Sequence, residues 1–75
     1  MIEQILRDLY ASEINASLSW FWDGGFDVAL GDEMNGYGAQ DTVSTLDEAA
    51  EWLRSNAVQL YPDSEFAKKH RRGFE

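Results

Sequence analysis

The stretch Ala16-Ser17-Leu18-Ser19-Trp20-Phe21-Trp22-Asp23-Gly24-Gly25-Phe26-Asp27-Val28-Ala29-Leu30-Gly31 decides the fold. Leu18, Trp20 and Trp22 alternate with Ser17, Ser19 and Phe21, and Phe26, Val28 and Leu30 alternate with Asp27, Ala29 and Gly31. A period of two is the period of a β-strand. Asp23-Gly24-Gly25 divides the two runs, so residues 16–31 read as a β-hairpin. Two loop lengths compete. A two-residue loop at Gly24-Gly25 pairs Trp22 with Asp27 and Ser19 with Leu30. A three-residue loop pairs Trp22 with Phe26, Trp20 with Val28 and Leu18 with Leu30, which gathers six apolar side chains on one face. A one-residue slip moves an apolar set to the wrong side of the sheet, so the longer loop is preferred. Gly25 then serves as the left-handed residue of a G1 bulge.

Working outward, Asp32 to Gly36 forms a second loop with an Asn35-Gly36 turn signal. Tyr37 to Val43 reads as a third, weaker strand, and its Gly38, Gln40 and Asp41 mark an edge. Before the hairpin, Ile2, Ile5, Leu6, Leu9 and Tyr10 recur at helical spacing and predict a first helix over about residues 2–12. After the third strand, Thr45-Leu46-Asp47-Glu48 is a capping box, in which Thr45 accepts from the Glu48 amide and the Glu48 carboxylate returns to the Thr45 amide. Leu46, Ala49, Ala50, Leu53, Ala57 and Leu60 continue it as a helix over about residues 46–60, and Pro62 stops it. Asp63 or Ser64 can cap a short last helix that carries Phe66 and Ala67.

The predicted fold class is α+β: a two-layer α-β-β-β-α domain, with a three-stranded antiparallel sheet, the helices on one face, and a short extra C-terminal helix. The single domain is expected over 1–67, and residues 68–75 are expected as a basic, frayed C-terminal tail. In this arrangement Leu18, Trp20, Trp22, Phe26, Val28 and Leu30 form the core beneath the helices. A chain of 75 residues needs such side chains for burial.

Charge is divided unevenly along the chain. Residues 1–67 hold 13 carboxylates against Arg7 and Arg54, a net charge of −11. The last eight residues hold Lys68, Lys69, Arg71 and Arg72 against Glu75, a net charge of +3. An acidic body repels a phosphate backbone, so direct nucleic-acid contact through the body is not expected. The basic run reads as a solubilising end, as a weak contact for phosphate or acidic lipid, or as a segment that lies on the acidic body of its own or another chain.

The absence of cysteine excludes disulfides, thiolate metal sites and a cysteine nucleophile. Together with the small size it favours a cytoplasmic location. No apolar run is long enough to span a membrane, and the acidic start Met1-Ile2-Glu3-Gln4 does not resemble a signal peptide. The loop around Gly36 fails the EF-hand pattern, since Gly31 and Thr42 fall where Asp and Glu are needed. No phosphate-binding glycine motif is present. Loop carboxylates are too common here to mark a hydrolase, and His70, amid Lys68, Lys69, Arg71 and Arg72, reads as a solvated tail residue. No cofactor, metal or catalytic residue is expected.

The α-β-β-β-α order resembles the double-stranded RNA-binding domain. That family grips phosphates with lysines at the start of its second long helix. The corresponding segment here is Leu46-Asp47-Glu48-Ala49-Ala50-Glu51, which is acidic, so the resemblance implies element order without the binding chemistry. What remains is the sheet face away from the helices. Ser19, Phe21, Asp27 and Ala29, with Tyr37, form the expected interface for a protein partner or a second copy. The function expected is protein contact without enzymatic activity. The alternatives are an acidic decoy for a nucleic-acid-binding protein and a weak metal-binding or enzymatic domain.

Overall fold

The computed structural model describes residues 2–32 and 36–71. The elements run α1 (Ile2–Ala11), β1 (Ala16–Phe21), β2 (Gly25–Asp32), β3 (Gly36–Val43), α2 (Leu46–Leu60) and α3 (Glu65–His70). The sheet is antiparallel in the order β1-β2-β3. This is the α+β architecture expected from the alternating and helical periods. Residues 33–35 of the expected Asp32–Gly36 loop, and residues 72–75 of the expected tail, lie outside the described residues.

The hairpin keeps the predicted faces but not the predicted partners. Trp20 pairs with Phe26, Leu18 with Val28, and Ala16 with Leu30. The loop is therefore Trp22-Asp23-Gly24, and the pairing is displaced by two residues from the expected register. A shift of two leaves every side chain on its original face, so apolar alternation alone cannot detect it. Gly25 decides it. It pairs with Phe21 at a φ of 84°, and a Cβ at this position would lie 2.7 Å from the Val43 carbonyl oxygen. Gly25 is thus a strand residue wedged against the end of β3, and Trp22 is pushed out into the turn. The second irregularity is a register shift between Leu30 and Gly31, where Gly31 has a φ of 101°.

The core lies between the sheet and the helices. Val28 and Leu30 from β2 meet Ile5 and Leu9 of α1, Ala49, Ala50, Leu53, Ala57 and Val58 of α2, and Phe66 and Ala67 of α3. Ala49, Ala50 and Ala57 are wholly buried, and such small side chains let a helix lie close to a neighbouring layer. α2 lies over β2 and β3, while α1 packs on α2 and α3. The capping box forms with one change: Thr45 Oγ1 accepts from the Glu48 amide at 3.1 Å, but the Glu48 carboxylate accepts from Ser44 rather than Thr45, at 2.9 Å.

The expected tryptophan core is corrected by this layout. Leu18 is half-buried against the core, but Trp20 is 64% exposed and Trp22 is 94% exposed. α2 does not extend over β1, so the hairpin end of the helix-side face is left uncovered. The stripe on α1 is also narrower than expected. Ile5 and Leu9 are buried, whereas Leu6 and Tyr10 are exposed.

The end of α1 carries a strained residue. The Ile14 amide donates to the Leu9 carbonyl and the Glu13 amide to the Tyr10 carbonyl, both at 3.0 Å, which is the Schellman arrangement. Glu13 occupies its left-handed position at a φ of 59°. A side chain there costs about 1 kcal/mol relative to glycine. Glu13→Gly is expected to stabilise the domain by about 1 kcal/mol in urea unfolding; an unchanged or lower midpoint would contradict this account of the cap.

Candidate interaction surface

The face of the sheet opposite the helices carries two rows of short side chains. Ser17, Ala29 and Gln40 stand across the three strands in one row, and Ser19, Asp27 and Thr42 in the next. Ser17, Ser19, Asp27, Gln40 and Thr42 are exposed, while Ala29 is buried between its neighbours on the central strand. They form a shallow, open concavity of about 610 Å³. Thr42 Oγ1 donates to Asp27 Oδ1 at 2.9 Å, which ties β3 to β2 across this face. The floor is small and polar, with one methyl group at its centre.

Of the expected interface residues, Ser19, Asp27 and Ala29 are brought together here. Phe21 pairs through its backbone with Gly25, and Tyr37 pairs with Gly31 beside the register shift. The side chains of Phe21 and Tyr37 lie outside the described residues. The large apolar side chains that stand exposed near the hairpin, Trp20 and Trp22, belong to the helix side of the sheet or to its turn. A count of apolar alternation cannot find this, because it reports which face a residue takes but not how far the helices reach over that face.

Titratable groups converge in one other place, where α3 docks on α1 and α2. His70 Nε2 lies 2.7 Å from Asp8 Oδ2, and Lys69 Nζ lies 3.2 Å from Asp8 Oδ1. The Phe66 ring stacks on the imidazole with centroids 4.3 Å apart. Arg54 is buried and donates from Nη1 to the His70 carbonyl at 3.1 Å, while its Nε and Nη2 reach the two Glu51 carboxylate oxygens at 3.1 and 2.7 Å. His70 is therefore not a solvated tail residue. α3 runs on through Lys68, Lys69 and His70, and Lys69 and His70 reach Asp8 of α1.

The Asp8–His70 pair has the geometry of an acid–imidazole dyad, but both of its partners serve docking. One flank of the imidazole is occupied by Phe66 and its Nε2 is taken by Asp8. The hydrogen bond from His70 holds the Asp8 carboxyl below its ordinary value, aided by Gln4 and Lys69 and opposed by burial. A lowered carboxyl pKa stabilises the fold above the ordinary value, and that contribution is lost as pH falls through the lowered one. Sequence reading missed this corner because Asp8 and His70 are 62 residues apart. Arg54 gave only a weak signal, as a charged residue adjoining the stripe position Leu53.

Among the described residues, no group of three or more carboxylate or histidine side chains is placed to hold a metal ion, and no helix is long and apolar enough to cross a membrane. No family model matches this chain, and no match is found among curated proteins or solved structures.

Proposed function

We propose that this protein acts by contact with another protein, through the bare outer face of its sheet, and not by catalysis. One observation carries the reading: the helices pack on one side of a three-stranded sheet, and the other side presents a concave floor of small side chains around a buried alanine. Short side chains give up little rotamer freedom on binding, and a shallow concavity accepts a protruding group from a partner. Asp27, held by Thr42, offers a fixed acceptor in that floor.

The test uses Ala29→Lys combined with Gln40→Lys. A lysine at Ala29 must snorkel out between its neighbours and stands opposite the one at position 40, so the double variant should melt several degrees lower yet still cooperatively, while both side chains fill and recharge the floor. Used as bait in a cell lysate, the unaltered chain is expected to retain a partner at low and high salt that the double variant loses at both. Identical partners on both baits would remove the sheet face from the reading. Partners released by salt alone would point to the acidic body as the contact, as for a decoy of a nucleic-acid-binding protein.

A further inference from the structure

A second surface, on β1, is complementary to itself. β1 lies at the edge of the sheet, and its six residues, Ala16 to Phe21, carry no charge in a body of −11. Edge strands in native proteins are usually protected by charge, proline or a bulge, and β1 has none of these along its length. Its hydrogen-bonding direction follows from one contact. The Gly31 amide donates to the Asn15 carbonyl at 2.7 Å, so Asn15 and Gly31 form a hydrogen-bonded pair. Such pairs alternate along an antiparallel ladder, so Ser17, Ser19 and Phe21 direct their backbone groups toward β2. The amides and carbonyls of Ala16, Leu18 and Trp20 therefore point to the open edge.

The two ends of this strand match each other. At its C-terminal end stands Trp22, almost fully exposed. At its N-terminal end is a hollow of about 620 Å³ lined by Tyr10, Ala11, Glu13, Ile14 and Asn15. Trp22 lies four residues after Leu18, and Ile14 lies four residues before it. We propose that β1 pairs antiparallel with β1 of a second copy about a twofold axis at Leu18, seating Trp22 of each copy against the hollow of the other. This register sets Leu18 opposite Leu18, Ser17 opposite Ser19, and the large Trp20 opposite the small Ala16. It keeps all helix-side residues on one face, as a continuous six-stranded sheet requires.

The area is of the right order. A fully buried aromatic side chain removes roughly 150–250 Å² from water, so Trp20 and Trp22 of two copies supply roughly 600 Å². The strand edges and the rims of the hollows add to this, against the roughly 1,200 Å² at which specific interfaces begin. One feature opposes association. The register brings Asp23 of one copy near Glu13 of the other, and both chains are acidic. Salt screens this repulsion, so the dimer should tighten as salt rises, opposite to an association driven by the basic residues of α3.

This surface is distinct from the outer sheet face, so each can fail alone. The experiment is sedimentation velocity of the full chain over a concentration series at low and high salt, with amide hydrogen exchange at each end of the series. A monomer–dimer equilibrium that strengthens with salt is expected, and the Leu18 and Trp20 amides should become protected only at high concentration. Trp22→Ala, at an exposed position, should leave the melting temperature unchanged and weaken the dimer about tenfold or more. A monomer throughout overturns the proposal. So does a Trp22→Ala chain that dimerises as tightly as the parent, or a dimer whose Leu18 and Trp20 amides stay unprotected. A dimer of that last kind whose assembly is broken by Ala29→Lys would still support the outer face.

Discussion

Phe66→Ala is expected to leave the chain without a cooperative unfolding transition at 25 °C. Phe66 is 1% exposed and belongs to a helix of six residues. A helix that short has no stability of its own and exists only while docked. Its docking rests on Phe66 and Ala67 in the core, the Ser64 cap on the Ala67 amide, and the contacts made by His70. Truncating a buried phenylalanine costs about 3–5 kcal/mol. A domain of this size rarely holds more than about 3–5 kcal/mol in total, so one substitution consumes the whole margin. The loss should also propagate. With α3 displaced, Asp8 loses Lys69 and His70 as partners, and the sides of α1 and α2 that α3 covers open to water. Circular dichroism during heating provides the measurement. A sharp melt within a few degrees of the parent would show that α3 is an appendage rather than part of the core. Phe66→Leu, which keeps most of the volume, should cost about 1 kcal/mol and still melt cooperatively.

The importance of α3 was only partly legible in the sequence, and the reason is physical. Elements that follow local rules were readable. The alternation through Ser17–Trp20 and Phe26–Leu30 specified strands, the Thr45–Glu48 spacing specified the start of α2, and the left-handed backbone expected at Gly25 is present at a φ of 84°. Features set by distant residues were not. The two-residue displacement of the hairpin leaves every side chain on its face and so escapes the alternation, and the exposure of Trp20 and Trp22 depends on how far the helices reach over the sheet. Lys68, Lys69 and His70 read as a solvated end because a basic run has no reason to order by itself. Asp8 supplies that reason from the other end of the chain. On the outer face, Ser19, Asp27 and Ala29 share one side of the sheet as their alternation implies, since face parity survives a shift of two. The concavity they share is a property of three strands at once, and no single strand announces it.

Arg54→Ala should cost about 2–3 kcal/mol, more than its place as a charged residue on a helix would suggest. Arg54 is 7% exposed, and its guanidinium joins both Glu51 oxygens on its own helix and the carbonyl at the end of α3. That carbonyl is one of the last in α3, where a helix leaves its acceptors unsatisfied and a cation is favoured. Alanine removes the donor, the charge and the packed stem together. Glu51 is half exposed and regains water, so the penalty falls short of that for a fully buried pair. Two further substitutions separate the causes. Arg54→Met restores the stem without the charge and should recover about half of the loss if packing matters. Arg54→Lys keeps the charge but cannot hold two carboxylate oxygens and a carbonyl at fixed angles. It should recover less than methionine does. Urea unfolding of the three variants decides between them. If lysine restores full stability while methionine does not, the corner is held by charge alone, and the planar fork of Arg54 has no special part in docking α3.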